Sequence, residues 1–316
     1  MRSLTVGVIV ALTLSAACAR EGTPEAAPER PALETTTTAP STTTTTTAPT
    51  TTTTAAPTDM FALKPPPPAS TPEGLAAQIA QAEQTVRDPS SGELAVAQAG
   101  LAQQVAYRQL GAHPEWDAPV ADALPDALRS VAQLQADARR QFRGMHTKLS
   151  STLPAWKIVR PEPVDVLLDA YRDAEAEFGI PWQYLAAINL VETGMGRIRG
   201  TSIAGAQGPM QFMPGTWEEY GGGGDINDTH DAIRAAGRYL AANNGANDIA
   251  NALYRYNNSN RYVAGVQIYA NLIAENPQAF LGFYHWGVWY LTDQGEVYLP
   301  VGYEQNEPIP VAEYRP

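Results

Sequence analysis

Apolar residues recur at helical spacing over most of the chain beyond its first quarter. Between residues 73 and 160, positions such as Leu94, Ala97, Leu101 and Val105 fall on one helical face. The spacing predicts two or three helices. This segment contains no cluster of ionisable or metal-binding residues, so its expected role is to support the domain that follows.

The central segment, residues 161–277, is also predicted to be mostly helical. Pro163 begins one helix and Pro181 begins the next, because proline is tolerated in the first turn of a helix. Gly194 is expected to end the second of these helices.

Aromatic residues mark the C-terminal part of the chain. The runs 283–290 and 297–299, separated by Asp293-Gln294-Gly295, predict a β-hairpin within residues 278–316. Their side chains either pack in the core, which is the commoner case, or stack on sugars. The fold class predicted from these patterns is mainly α, with a preceding helical segment, a helical central domain and a C-terminal β-hairpin.

Residues 19–72 form a predicted disordered linker rich in Thr and Pro. Thr, Pro and Ala dominate this stretch, and it has almost no large apolar side chain that could form a core. Such a spacer is partly extended and lets a tethered domain reach away from its point of attachment.

Residues 1–18 have the pattern of a signal peptide. Arg2 precedes an apolar run, and small residues come immediately before Cys18, the only cysteine of the chain. Residues 14–18 resemble a lipobox, which predicts acylation of Cys18 and an exported lipoprotein, anchored in the cell-envelope membrane and facing the cell wall. The alternative is an ordinary cleaved signal with an incidental cysteine.

Charge and composition exclude several function classes. The net charge of −12 argues against nucleic-acid binding and against a polybasic membrane patch. No cofactor or metal is expected, because the four histidines lack paired ligand spacing and residues 225–236 depart from a calcium loop at the sixth and twelfth positions. Asp231 and Asn260 instead suit the N-caps of two helices.

Glu192 is the candidate catalytic residue. Leu185, Ile188 and Glu192 share one helical face, so Glu192 lies at the end of an apolar stripe. Desolvation and the negative end of the helix dipole both disfavour the carboxylate and are expected to raise its pKa. A general acid that works at neutral pH needs such a shift.

Three short blocks resemble a known family. In order along the chain, they are similar to motifs of the lytic transglycosylases, which share a goose-type lysozyme fold: Glu192-Thr193, Gly208-Pro209-Met210-Gln211 and Tyr256-Asn257. Residues 211–214 and 231–233 are similar to the membrane-bound murein transglycosylase B branch. The chain departs from the family at two positions, with Thr193 in place of Ser and Pro209 in place of Leu.

The resemblance implies a lysozyme-like transglycosylase domain at residues 161–277 and a role for each motif. Glu192 protonates the glycosidic oxygen, Ser202 and Gln211 contact the adjacent sugar, and Tyr256 holds Glu192. The full set of implied substrate-binding residues is Thr193, Ser202, Met210, Gln211, Tyr256 and Asn257.

Three functions remain open after this comparison: a lytic transglycosylase, a lysozyme-like hydrolase of the same bond, and a non-catalytic wall-binding module. The first is favoured because the acid, hydroxyl and amide residues keep the family's order. No later acid lies in a motif, which favours a mechanism with one Glu and a 1,6-anhydro product. The expected partners are peptidoglycan glycan strands and, through the anchor, a membrane; nucleic acid is not expected, and no protein partner is indicated.

Overall fold

The structure is a computed structural model that describes residues 59–315. Within these residues, eleven α-helices make up most of the regular structure, which confirms the mainly α prediction. The helices are α1 (Pro72–Arg87), α2 (Glu93–Ala112), α3 (Asp117–Ala123), α4 (Asp126–Arg143), α5 (Val164–Phe178), α6 (Trp182–Thr193), α7 (Pro214–Tyr220), α8 (Thr229–Ala242), α9 (Ile249–Tyr256), α10 (Asn260–Glu275) and α11 (Ala279–Tyr284).

The described strands are short and form three antiparallel pairs. Strand β1 pairs with β6, β2 with β3, and β4 with β5. Their bounds are β1 (Thr152–Leu153), β2 (Lys157–Ile158), β3 (Ile198–Arg199), β4 (Val288–Thr292), β5 (Gly295–Leu299) and β6 (Ile309–Pro310).

The predicted C-terminal hairpin is confirmed, but it begins later than expected. Val288 of β4 faces Leu299 of β5, and Thr292 faces Gly295 across the turn. Phe283 and Tyr284, which were predicted to belong to the hairpin, lie in helix α11 and are buried. Periodicity alone does not distinguish a buried helix from a buried strand in so short an apolar run.

Helix ends agree with some cap predictions and correct others. Pro163 and Pro181 precede α5 and α6, and Gly194 ends α6 in the left-handed conformation, as predicted. Asp231 does not cap α8, because Asp228 does so by accepting a hydrogen bond from the Asp231 backbone N–H. Likewise, the N-cap of α10 is Ser259 and not Asn260, which is the first residue of that helix.

The region predicted as a helical support contains four α-helices rather than two or three. Helix α4 packs on α10, and α2 packs on α11, so residues 73–160 share one hydrophobic core with the central helices. The rings of Phe142 in α4 and Tyr269 in α10 lie 5.5 Å apart. The indole of Trp286 donates a hydrogen bond to Gln103 of α2 at 3.0 Å. The support helices therefore form part of the wall around the candidate site.

A smaller apolar cluster joins the hairpin to the segment before α5. It contains the buried side chains of Leu153, Ile158, Val288, Leu299 and Tyr303. Pairing of β2 with β3 ties this segment to the loop that follows α6. These contacts place the hairpin next to the C-terminal end of α6.

The predicted signal peptide, including Cys18, and most of the predicted linker lie outside the described residues. The last part of that linker, residues 59–71, packs against the helices: Phe61 contacts Tyr284, and the Ala69 N–H donates to Gln109 at 3.0 Å. Residues 59–71 therefore do not behave as the spacer that was predicted to extend to residue 72. In the part of the chain that the structure describes, no helix has the length and apolar character needed to span a membrane.

Candidate active site

A cavity of about 470 Å³ opens beside the C-terminal end of α6. Its wall combines residues from α2, α4, α6, α10 and the β4–β5 hairpin. Three of the predicted site residues line it, namely Glu192, Ser202 and Gln211.

Glu192 lies in the last turn of α6 and is largely withdrawn from water. The Tyr262 hydroxyl of α10 donates a hydrogen bond to Glu192 Oε1 at 2.7 Å. Burial raises the pKa of Glu192 to about 8, and the smaller effect of the Tyr262 hydrogen bond lowers it. Although the side chain keeps some exposure where it lines the cavity, its carboxyl group is mostly protonated at neutral pH. The predicted rise in this pKa is confirmed.

Tyr262, and not Tyr256, holds the Glu192 carboxyl group. The Tyr256 hydroxyl donates to the backbone oxygen of Met210 at 2.7 Å, so the role predicted for Tyr256 is wrong. The Tyr256 and Tyr262 rings are nearly parallel, with centroids 6.5 Å apart. Tyr256 therefore supports the ring that contacts Glu192. It also fixes the loop formed by residues 208–211, which is called the motif loop below.

Thr193 holds the motif loop and does not line the cavity. Its buried hydroxyl donates to the Pro209 backbone oxygen at 2.5 Å and accepts from the Gly196 N–H at 3.0 Å. Asn189 donates to the same Pro209 oxygen at 2.9 Å. In this geometry Thr193 stabilises the motif loop, and the contact with substrate that was predicted for it is not seen.

Met210 and Asn257 also lie away from the cavity. Met210 is fully buried in the core, and Asn257 is buried beyond the end of α9. Neither residue lines the cavity, so their predicted contacts with substrate are not seen in this geometry. The Asn257 side-chain oxygen has no hydrogen-bond partner among the described residues.

The backbone of the motif loop requires the glycine at position 208. Gly208 has a φ of +73°, and a Cβ there would lie 1.8 Å from the Ile226 backbone oxygen. Gln211 follows with a φ of +52°, and its side-chain amide donates to the Gly208 oxygen at 3.0 Å. This turn presents Gln211 to the cavity.

Ser202 lies in the loop that follows β3, and its hydroxyl stabilises that loop. Ser202 Oγ accepts a hydrogen bond from the Ala206 N–H at 2.9 Å. Its hydroxyl proton remains available to a ligand in the cavity.

The family comparison agrees with this geometry. Residues 169–270 match the family model described as the transglycosylase SLT domain. This segment is similar to a transglycosylase SLT domain. The match indicates lytic transglycosylase activity on peptidoglycan. No curated protein and no solved structure gave a significant match to the chain.

Aromatic side chains from outside the SLT domain complete the cavity. Trp289 and Tyr290 of β4 line it, as does Trp156, whose ring meets that of Tyr290 edge-on at 5.4 Å. Phe283, by contrast, is fully buried in the core. Packing in the core is thus confirmed for Phe283, whereas Trp289 and Tyr290 line the cavity.

A second carboxylate, Glu296 of β5, lies in the cavity wall and was missed by the sequence analysis. Its Oε2 accepts from Arg108 Nε at 2.9 Å, and its Oε1 accepts from Arg139 at 3.2 Å and lies 3.5 Å from Arg143. Both oxygens are thus occupied by guanidinium groups. Among the lining residues of the described structure, Glu192 and Glu296 are the acids, and burial raises the pKa of Glu192.

Proposed function

We propose that this protein is a lytic transglycosylase that cleaves the β-1,4 bond between N-acetylmuramic acid and N-acetylglucosamine and leaves a 1,6-anhydro end. The observation that carries the proposal is the protonated Glu192 in a cavity whose other carboxylate, Glu296, is held by arginines. One group must then serve as acid and as base.

In the first step, Glu192 donates its proton to the glycosidic oxygen as the bond from C1 to that oxygen breaks. The N-acetyl group of the muramic residue stabilises the positive charge that develops at C1. The Tyr262 hydroxyl donates to Glu192 Oε1 at 2.7 Å and so stabilises the carboxylate that forms.

In the second step, the Glu192 carboxylate takes the proton of the C6 hydroxyl of the same muramic residue. The C6 oxygen attacks C1 and closes the 1,6-anhydro ring. Glu192 has taken the C6 hydroxyl proton and is protonated again for the next cycle. Because the nucleophile belongs to the same sugar, its effective concentration is far higher than that of an external molecule. No water is consumed.

The cavity wall supplies groups that suit sugar binding. Ser202 and Gln211 offer a hydroxyl and an amide on the two loops beside Glu192, and Trp289 and Tyr290 offer aromatic surface. These residues are proposed to position the two sugars on either side of the bond.

Hydrolysis is the second candidate, and Glu296 is the observation that would favour it. An inverting or retaining glycosidase needs a second carboxylate that acts as base or nucleophile. Glu296 is poorly suited to either role, because Arg108 and Arg139 occupy its oxygens. A non-catalytic wall-binding module would not require an acid with a raised pKa.

The test of the catalytic assignment is Glu192→Gln, which keeps the shape of the side chain and removes the transferable proton. Release of soluble muropeptides from purified peptidoglycan is expected to fall by at least about 100-fold. Glu275→Gln, which removes an exposed carboxylate on α10, serves as the control. Near-normal release by a folded Glu192→Gln protein would contradict the assignment.

We further propose that the enzyme is exported and anchored through an acylated Cys18, and that it belongs near the membrane-bound murein transglycosylase B branch. The small residues before Cys18 support the anchor, and the motifs at 211–214 and 231–233 support the branch. Cys18→Ala is expected to move the protein out of the membrane fraction. An unacylated wild-type N-terminus would contradict the anchor.

A further inference from the structure

One wall of the cavity is strongly basic, although the protein as a whole is acidic. Arg108 of α2, Arg139 and Arg143 of α4, and Lys148 after α4 all line the same cavity as Glu192. This group is called the basic wall below. None of its members lies in the SLT domain at residues 169–270.

The acid within reach does not neutralise the basic wall. Glu296 forms ion pairs with Arg108 at 2.8 Å, Arg139 at 3.2 Å and Arg143 at 3.5 Å, so three guanidinium groups share one carboxylate. Two positive charges remain uncompensated by this carboxylate. Lys148 forms no ion pair within the described residues and adds to this excess.

Because these groups are partly buried, their excess positive charge is unfavourable when no ligand is bound. The Arg108 side chain is only 9% exposed, and the Arg139 Nε is buried without a hydrogen-bond partner among the described residues. Burial and the charge of Arg139 lower the pKa of Arg108 to about 9. Burial, Arg139 and Arg143 likewise lower the pKa of His146. A bound anion would relieve the repulsion that these groups experience.

The basic wall is close to the reacting bond. Tyr262, which contacts Glu192, and Tyr269 lie seven residues apart on α10, which is about 10 Å along the helix axis. The Tyr269 side chain lies close enough to Arg139 and Arg108 for their charges to act on it. A substrate held at Glu192 therefore has its substituents within reach of the wall.

We propose that the basic wall binds a carboxylate carried by the muramic side of the substrate, so that the enzyme recognises an anionic substituent as well as the glycan. This inference rests on the proposed function, because it takes peptidoglycan as the ligand. Two sources share the required chemistry: a carboxylate of the stem peptide, and the lactyl carboxylate that is exposed where the peptide has been removed. Glu296 positions Arg108 and Arg139, and Arg143 and Lys148 are the more exposed members that reach the ligand.

The experiment measures binding and does not depend on turnover. In a Glu192→Gln background, the affinity for insoluble peptidoglycan is measured by co-sedimentation at low salt. Arg143→Gln is compared with Arg129→Gln, which removes one arginine of similar exposure from the same helix but outside the cavity. Three substrates are used: intact peptidoglycan, glycan freed of peptides by an amidase, and peptidoglycan whose carboxylates have been converted to methylamides.

On the substrate that carries the recognised carboxylate, Arg143→Gln is expected to raise Kd about threefold to fivefold, and Arg143→Gln combined with Lys148→Gln about tenfold, relative to Arg129→Gln. The difference should vanish on the methylamidated substrate and shrink at high salt. If the difference appears on amidase-treated glycan and not on intact peptidoglycan, the ligand is the lactyl carboxylate. If it appears on intact peptidoglycan and not on amidase-treated glycan, the ligand is a peptide carboxylate.

Equal affinities of the double variant and Arg129→Gln for both intact peptidoglycan and amidase-treated glycan would overturn the basic wall as a binding site. A difference that survives methylamidation would also overturn it, because the ligand would then not be a carboxylate. Failure of the proposed function gives a separate result, since wild-type protein would then release either no muropeptides or muropeptides with reducing ends, whatever the binding data show.

Discussion

Replacement of Glu192 by Gln is expected to stabilise the protein while it abolishes activity. The folded-state pKa of Glu192 is about 8, against an ordinary value of 4.5. Between these two values the unfolded chain loses the proton and the folded protein keeps it. As pH rises through this window, ionisation of the unfolded state favours unfolding, so wild-type stability falls.

The size of the effect follows from the distance between the two pKa values. At pH 7, 2.5 units above the ordinary value, a cost of about 1.4 kcal/mol per unit gives an upper value of about 3.5 kcal/mol. Glu192 keeps partial contact with the cavity, so solvent screening reduces the expected gain of Glu192→Gln to about 1–2 kcal/mol. The gain is expected to vanish near pH 4.5 and to reach its maximum above pH 8.

The assay is urea unfolding of wild type, Glu192→Gln and the surface control Glu275→Gln over the range from pH 5 to pH 9. The free energy of unfolding is compared at each pH with the m-value checked for constancy. A Glu192→Gln gain that does not grow with pH, or that the control reproduces, would refute the argument that burial holds this carboxyl protonated.

Two further variants test the contacts around the acid. Tyr262→Phe removes the hydrogen bond that lowers the pKa of Glu192. The alkaline limb of the pH–rate profile should therefore move to higher pH, and the rate should fall about tenfold. An unchanged profile would show that the Tyr262 hydroxyl does not act on Glu192. Thr193→Val removes the bonds to Pro209 and Gly196 at similar volume and should cost about 1–3 kcal/mol in urea unfolding, whereas Thr193→Ser should remain near wild type. Equal stabilities of the Val and Ser variants would show that the hydroxyl does not hold the loop.

Local signals were sufficient to predict the helix that carries the acid. Pro181 and Gly194 mark the ends of α6, and the apolar positions Leu185 and Ile188 place Glu192 beside the core. Each of these features depends on residues within one helix, so periodicity and cap chemistry predict them. The raised pKa follows from the same local arrangement.

The partners of Glu192 could not be predicted in the same way. Tyr256 and Tyr262 lie on successive helices, and the choice between them depends on how α9 and α10 pack, which no local pattern specifies. A fully buried tyrosine such as Tyr262 needs a partner for its hydroxyl, but its burial was known only from the structure.

The rest of the cavity wall depends on contacts between distant parts of the chain. The ion pairs of the cavity wall join α2, α4 and β5 through Arg108, Arg139 and Glu296. These residues meet because the support helices and the hairpin pack next to residues 169–270 around one cavity. In the sequence each appears as an isolated surface charge, which is the usual place for such residues. Their chemistry emerges only from the tertiary arrangement.

The most direct test of the account is the chemical nature of the new glycan end. Peptidoglycan is digested with the purified protein in water enriched in heavy oxygen, and the muropeptides are analysed by mass spectrometry. The single-carboxylate mechanism predicts 1,6-anhydro ends that are about 18 Da lighter than hydrolysed ends and carry no heavy oxygen at C1. Reducing ends labelled at C1 would contradict it, because water would then be the nucleophile and the protein a hydrolase.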